Sequence, residues 1–373
     1  MKHFPGSRSL AALVCALSLL AGVLLGDAPA RAKGNRQVNG WTVLAPVSYK
    51  NLTIFPVRGA DLAGSADYIT LDEGTKAGTV VITEKGTQAA RIVRRPANAS
   101  ANARQQSIAY TSGASVNELA LVNRSGKKLL LLAGEVVVGG QQDRIVQEDR
   151  VIPPVSIPVA LSVFCVEHGR WTPRAASYGG GASAAVEAPA PAKFSSLGAV
   201  AHPKLRGTAQ DKKAQSEVWK EVSENNAKLG TSNGTDTYQE VYTSKQVGSQ
   251  MDDYVRALER EVLQPGVVGV VVARNGKPVW ADVFASQRLF ASYWPKLLKS
   301  YVVDALGEEK PGARATVEEA TRYLQERDGT VSTTTQQGVY QLVKYEQASY
   351  AVFELRDISL TSPLRLHFNK MDR

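Results

Sequence analysis

The chain has 373 residues, 43% of them hydrophobic and 21% charged, which is enough apolar material for one large or two ordinary domains and too much for a disordered chain. Two cysteines exclude a disulfide scaffold, and four scattered histidines (His3, His168, His202 and His367) exclude a His-rich metal site. The formal charge is +9, yet no run of Lys or Arg exceeds two residues and none interleaves with aromatics, so nucleic acid is not an expected partner.

Lys2 and Arg8 precede an apolar run from Leu10 to Leu25, and the small residues Ala28, Ala30 and Ala32 follow. This is the three-part pattern of a secretory signal over residues 1–32, with cleavage expected before Lys33. A retained membrane anchor is the alternative, because the run approaches the ~20 residues that span a bilayer. The pattern predicts a periplasmic or secreted protein with no transmembrane span in its mature chain. Removal of Lys2, Arg8 and Arg31 together with Asp27 lowers the formal charge to about +7. Cys165 is then the one cysteine left, so no internal disulfide forms and stability rests on the core.

Four segments are expected: the signal at 1–32, a β-rich lobe at 33–176, a linker or loop at 177–210 and an α+β lobe at 211–373. The runs Leu52–Phe55 and Val80–Ile82 read as strands, whereas 94–115 lacks large apolar residues and reads as a flexible loop. Leu119 and Leu121, the polar turn Arg124–Lys127 and then Leu129–Leu132 predict a hairpin whose second arm is buried on both faces. Val155, Ile157, Val159, Leu161, Val163 and Cys165 alternate with smaller residues, which predicts a strand with one core face. On that strand Glu167 shares the inward parity, and Pro158 predicts an edge or a bulge. Ser177–Pro191 is too rich in Gly, Ala, Ser and Pro to pack.

Helices dominate from about residue 211. Val218, Val222 and Leu229 share one face of a helix closed by Gly230, and Val247 to Val262 repeat at three and four before Pro265-Gly266. Val267–Arg274, Asn275-Gly276 and Lys277–Phe284 predict a hairpin with a type I′ turn. A helix opening at Ser286 is expected to break or restart at Pro295, and Thr316 with Glu319 forms a capping box for the next. Gln341–Phe368 reads as two or three antiparallel strands. The fold class is α+β.

The familiar catalytic patterns are absent: there is no Gly-x-Ser-x-Gly elbow, no His-Glu-x-x-His, no phosphate loop and no dinucleotide fingerprint. Cys165 and His168, three apart on a strand, point to opposite faces and do not form a dyad. Glu135 is different, because Leu129–Val138 surrounds it with apolar residues or Gly, and a carboxylate carried into a core needs a partner. Gln142 and Arg144, two apart after a Gly139-Gly140 turn, are expected to fold back toward it, with Glu167 and Arg170 arriving from the other long strand. Three readings of this set are open: a functional site, a structural ion-pair network, or exposed charges in a turn.

The run Gly134-Glu135-Val136-Val137-Val138-Gly139-Gly140-Gln141-Gln142-Asp143-Arg144, with Cys165-Val166-Glu167-His168-Gly169-Arg170-Trp171, resembles the ARG and Rhodanese-Phosphatase-superfamily-associated domain family. Glu217-Val218-Trp219, Asp282-Val283-Phe284 and Tyr293-Trp294-Pro295-Lys296-Leu297-Leu298 extend the likeness over roughly residues 45–306. The resemblance implies an α+β fold and, through association with ADP-ribosylglycohydrolases, a role around ADP-ribose or NAD-derived nucleotides. It places function on Glu135, Gln142, Arg144, Glu167 and Arg170.

The leading expectation is therefore an exported protein that binds, and in one version hydrolyses, a small phosphorylated nucleotide-like ligand. Arg144, Arg170 and Gln142 would hold the ligand, and Glu135 or Glu167 would serve as general base. No metal cage is evident, and the sequence names no cofactor. The alternative is a non-catalytic envelope protein whose polar cluster only stabilises the fold. A third option is a membrane-surface or polyanion binder using the residual positive charge.

Overall fold

Short apolar runs punctuated by turns build the first part of the chain. The computed structural model describes residues 37–38, 40–85, 117–170, 193–306 and 314–373. The expected signal at 1–32, the loop at 94–115 and the Ser177–Pro191 stretch lie outside the described residues.

In chain order come β1 (Gln37–Val38), β2 (Trp41–Val43), β3 (Val47–Tyr49), β4 (Leu52–Arg58) and β5 (Tyr68–Ile69), followed by α1 (Leu71–Lys76) and β6 (Val80–Glu84). The middle is all strand: β7 (Glu118–Asn123), β8 (Lys128–Leu131), β9 (Glu135–Gly139), β10 (Arg144–Val146), β11 (Arg150–Ile152), β12 (Val155–Cys165) and β13 (Lys193–Val200). Next are α2 (Pro203–Gly207), a π-helical turn at Thr208–Lys212, α3 (Gln215–Leu229), α4 (Glu240–Thr243) and α5 (Lys245–Val262). The hairpin β14 (Val267–Arg274) and β15 (Lys277–Phe284) leads to α6 (Gln287–Leu306) and α7 (Val317–Gln325). The last strands are β16 (Thr330–Gln336), β17 (Tyr340–Glu346), β18 (Tyr350–Asp357) and β19 (Leu364–Asp372). The architecture is α+β.

Ten strands form one sheet in the order β1-β2-β4-β14-β15-β19-β18-β17-β16, with β3 also on β4. Its pairings are antiparallel, and it joins strands from both of the expected lobes. Six strands, β10-β12-β7-β6-β13-β9, close into a small barrel, and β11-β8-β5 make a third sheet.

Most local expectations are met. β14 and β15 pair around Asn275 and Gly276, both at positive φ (51° and 80°), as a type I′ turn requires. The Thr316–Glu319 capping box opens α7, and Gly230 closes α3 in the left-handed region. β12 spans the alternating segment, and its pairing with β7 shifts register between Val155 and Val159, beside Pro158. Its inward face holds for Leu161, Val163 and Cys165, while Ile157, near the shift, is 72% exposed.

Two expectations are corrected. β7 and β8 flank a real turn, tied by Asn123 Nδ2 donating to the Lys127 carbonyl at 2.8 Å, but they do not pair with each other. β7 joins the barrel between β6 and β12, whereas β8 pairs with β11 and β5. The reason is its two apolar faces: Leu129 and Leu131 enter the barrel core, and Leu130 enters the large core beneath α6. Nor does Pro295 break α6, which runs unbroken from Gln287 to Leu306. An interior proline costs about 3 kcal/mol, but Leu289, Phe290, Tyr293, Trp294, Leu297 and Leu298 are all buried around it. Each such side chain contributes ~1.5–3 kcal/mol, so burial wins.

Candidate functional site

The five expected residues separate into two places. Gln142, Arg144, Glu167 and Arg170 meet at one end of the barrel. Gln142 Nε2 donates to the Glu167 carbonyl at 2.7 Å, and Arg144 Nη1 reaches Gln142 Oε1 and the Asp143 carbonyl, each at 3.4 Å. Arg170 Nη2 pairs with Glu167 Oε2 at 2.6 Å, and its Nη1 donates to the Gly140 carbonyl at 2.8 Å. Asp143, which sequence reasoning passed over, ties the group together. Its amide donates to Glu167 Oε2 at 3.1 Å, while its carboxylate accepts from Gly139 N at 3.1 Å and Thr237 Oγ1 at 2.9 Å. Burial pushes the Glu167 carboxyl up, but hydrogen bonds from Arg170 and the Asp143 amide outweigh it, and the group sits below its ordinary value.

Arg144 occupies a special position in this group. It lies on β10 two residues before Val146, so it shares the face that Val146 turns into the barrel core. It is opposite Cys165 across the ladder and is fully buried. Glu84, at the end of β6, stands on the same side as Val80 and Ile82 and accepts from Gln141 N at 2.8 Å. Burial pushes the Cys165 thiol up to about 11, with Arg144 and Glu84 acting on it in opposite senses. At neutral pH Cys165 is therefore a thiol, and His168 is exposed against Trp219, so the pair forms no nucleophilic dyad. Nη1 of Arg144 is engaged as described, whereas its buried Nε and Nη2 have no acceptor among the described residues.

Glu135 goes elsewhere. At the start of β9 it accepts from Leu132 N at 2.9 Å and pairs with Lys296 of α6. Lys296 also holds Asp72 of α1 at 2.7 Å, and Asp72 accepts from Ser196 Oγ on β13. Burial and the Asp72 charge drive the Glu135 carboxyl above its ordinary value despite Lys296, while that lysine holds Asp72 below its own against burial. The cluster clamps α1, β9, β13 and α6 together.

A third cluster went unnoticed in the sequence. Asp282, in the middle of β15, is fully buried and accepts from five side chains. Arg206 forks onto both oxygens at 2.9 and 3.2 Å, Trp280 Nε1 donates at 2.8 Å, Asn369 Nδ2 at 3.0 Å, and Tyr301 adds its hydroxyl. His367 Nε2 lies at 3.0 Å, and its Nδ1 lies 2.6 Å from Asp149. Gly134 permits this, because a Cβ there would lie 2.4 Å from Arg206 Cγ. Burial opposes the charge on Asp282, yet Arg206 and His367 hold its carboxyl far below the ordinary range. Burial alone would depress His367, but Asp149 and Asp282 raise it to about 9. The signal was available: Asp282 sits in an apolar strand, as Glu135 does.

Beside this cluster, between α2–α3 and the sheet, opens a cleft of about 690 Å³ lined by Trp280, Lys204, Glu221, Asp211, Lys344 and Arg373 among others. Its charges are largely spent on each other: Lys344 and Arg373 both pair with Asp211 at 2.7 Å, and Lys204 pairs with Glu221 at 2.7 Å. Among the described residues no group of His, Cys, Asp and Glu could hold a metal ion, and no helix is long and apolar enough to cross a membrane.

No curated protein and no solved structure matches the chain. A family model does match, over residues 40–359, which takes in the barrel, the Glu135 cluster, most of the large sheet and all of the Asp282 cluster except His367 and Asn369. The chain belongs to the ARG and Rhodanese-Phosphatase-superfamily-associated Protein domain family.

Proposed function

We propose that this is an exported ligand-binding protein that takes the phosphate of a nucleotide-like compound on the side-on edge of Arg144, at the end of the barrel. One observation carries the reading: among the described residues, the buried Nε and Nη2 of Arg144 have no acceptor, while Nη1 lies 3.4 Å from both Gln142 Oε1 and the Asp143 carbonyl. The Nε–H and Nη2–H bonds run parallel and match two oxygens of one phosphate or carboxylate. Each buried donor left unmade costs ~1–3 kcal/mol. Because Arg144 is fully buried, the barrel end must open to admit an anion, which then recovers that energy by satisfying both donors.

Arg170 does not share this role, because it holds Glu167 and the Gly140 carbonyl and so fixes the turn beside the site. Binding is favoured over hydrolysis. Glu167 is held in its ionised form by Arg170, with its carboxyl below the ordinary value, and Glu135 lies in the separate Lys296 cluster away from Arg144, so neither serves as a base at this site. The family resemblance supplies the choice of nucleotide-like compounds, and the pattern of residues 1–32 supports export.

Thermal shift of the full chain with ADP-ribose, AMP and inorganic phosphate tests this. At least one compound is expected to raise Tm, Arg144→Met to abolish the rise, and Glu84→Gln to enlarge it by removing a neighbouring negative charge. A rise that survives Arg144→Met overturns the site. The second reading, a non-catalytic envelope protein, is favoured by the complete internal pairing of Glu135, Lys296 and Asp72. It holds if none of the three compounds shifts Tm.

A further inference from the structure

The two edges of the ten-stranded sheet are built in opposite ways. One edge is made by β1 and β3, two and three residues long, which offer little ladder to an incoming chain. The other is β16, Thr330-Val331-Ser332-Thr333-Thr334-Thr335-Gln336, paired with β17 on one side along its whole length without a register shift. All seven residues are exposed, so the strand stands beyond the core with both faces and its outer edge in solvent. Alternate residues of such a strand turn N–H and C=O away from β17.

Edge strands in stable monomers carry devices against further pairing: an inward or edge charge, a proline, a bulge, or short length. β16 has none of these. It is rich in β-branched residues, contains no charge and no proline, and includes Val331 at 57% exposure. We propose that β16 is a dimerisation edge that pairs antiparallel with β16 of a second copy of this chain, about a two-fold axis at Thr333.

The charge pattern argues for a second copy over an unrelated strand. A two-fold axis at Thr333 sets position 333 against itself and every other position against its mirror, so a charge on the axis would face its like. In this register Thr333 faces Thr333, Ser332 faces Thr334, Val331 faces Thr335 and Thr330 faces Gln336, and none of these pairs is charged. The charges beside β16 on β17, Lys344 and Glu346, pair with each other at 2.8 Å and with Asp211 and Arg373 respectively. The edge is thus neutral and self-complementary, with hydroxyl and β-branched side chains suited to cross-strand contact. An interface of one strand pair belongs to the small, transient class, so association is concentration-dependent.

Sedimentation velocity of the full chain over a rising micromolar series tests the proposal. The wild type is expected to move from monomer toward dimer, and Thr333→Lys to weaken the dimer by up to about fivefold by setting two ammonium groups face to face. Mixing the Thr333→Lys and Thr333→Glu chains is expected to restore a dimer containing one of each. A wild type that stays monomeric throughout overturns the proposal. So does a dimer indifferent to Thr333→Lys, or a mixture that fails to recover, because each places the contact on another surface.

Discussion

Asp282 and Arg144 are both charged side chains buried on β-strands, and they are treated in opposite ways. Asp282 is surrounded by donors on both oxygens, with Arg206 and His367 supplying countercharge. Arg144 is only partly engaged: one nitrogen is hydrogen-bonded and, among the described residues, the other two are buried without acceptors. A saturated buried charge organises what surrounds it: Asp282 ties β15 to α2, α6 and β19. A half-saturated one leaves hydrogen-bonding capacity for something outside the chain. Burial by itself therefore separates nothing; the count of satisfied atoms does.

Asp282→Ala is the harshest way to break this contrast. It leaves Arg206 and His367 charged, buried and short of their common partner, and should cost about 3–5 kcal/mol in urea unfolding. A loss under about 1 kcal/mol would mean that the cluster holds nothing together.

A change of pH probes the same cluster more gently. His367, raised to about 9 when folded from an ordinary 6.5, contributes stability that is fully present below pH 6.5 and is lost as pH rises through about 9. Lys370 acts in the other sense: burial lowers it to about 8, so its contribution grows as pH rises from 8 toward its ordinary 10.5. The difference between wild type and His367→Asn isolates the histidine. The stability gap between the two chains is expected to narrow from pH 6 to pH 10, and a constant gap would assign His367 a neutral role.

Arg144→Met should change stability least, by within about 1 kcal/mol of zero, because an apolar side chain of similar length replaces a charge that the fold leaves partly unsatisfied. A loss of several kcal/mol would place Arg144 with Asp282 as a structural group and remove the distinction drawn between them.

What the sequence made legible was local. The Asn275-Gly276 hairpin, the Thr316–Glu319 box and the alternation along β12 each depend on neighbours within one turn or one strand. The convergence of Gln142, Arg144, Glu167 and Arg170 was also legible, because β10 and β12 are adjacent in the barrel. Glu135 was rightly read as needing a partner, but its partner, Lys296, lies on α6 and leaves no trace in local spacing. The Asp282 cluster draws on β15, α2, α6 and β19, so each member reads alone as an odd polar residue in an apolar run. The β7–β8 error has the same origin. Turn chemistry at Arg124–Lys127 is local, while the choice of partner strand is decided by which core each leucine enters.

The position of β19 has a kinetic consequence. Residues 364–372 lie between β15 and β18 in the interior of the large sheet, and they bring His367 and Asn369 to Asp282. A polypeptide emerging from its N-terminus can form the β14–β15 hairpin early, but the sheet stays split until this late strand slides into its slot. Completion of the sheet is thus expected to wait for β19, with the edges of β15 and β18 unpaired until it arrives.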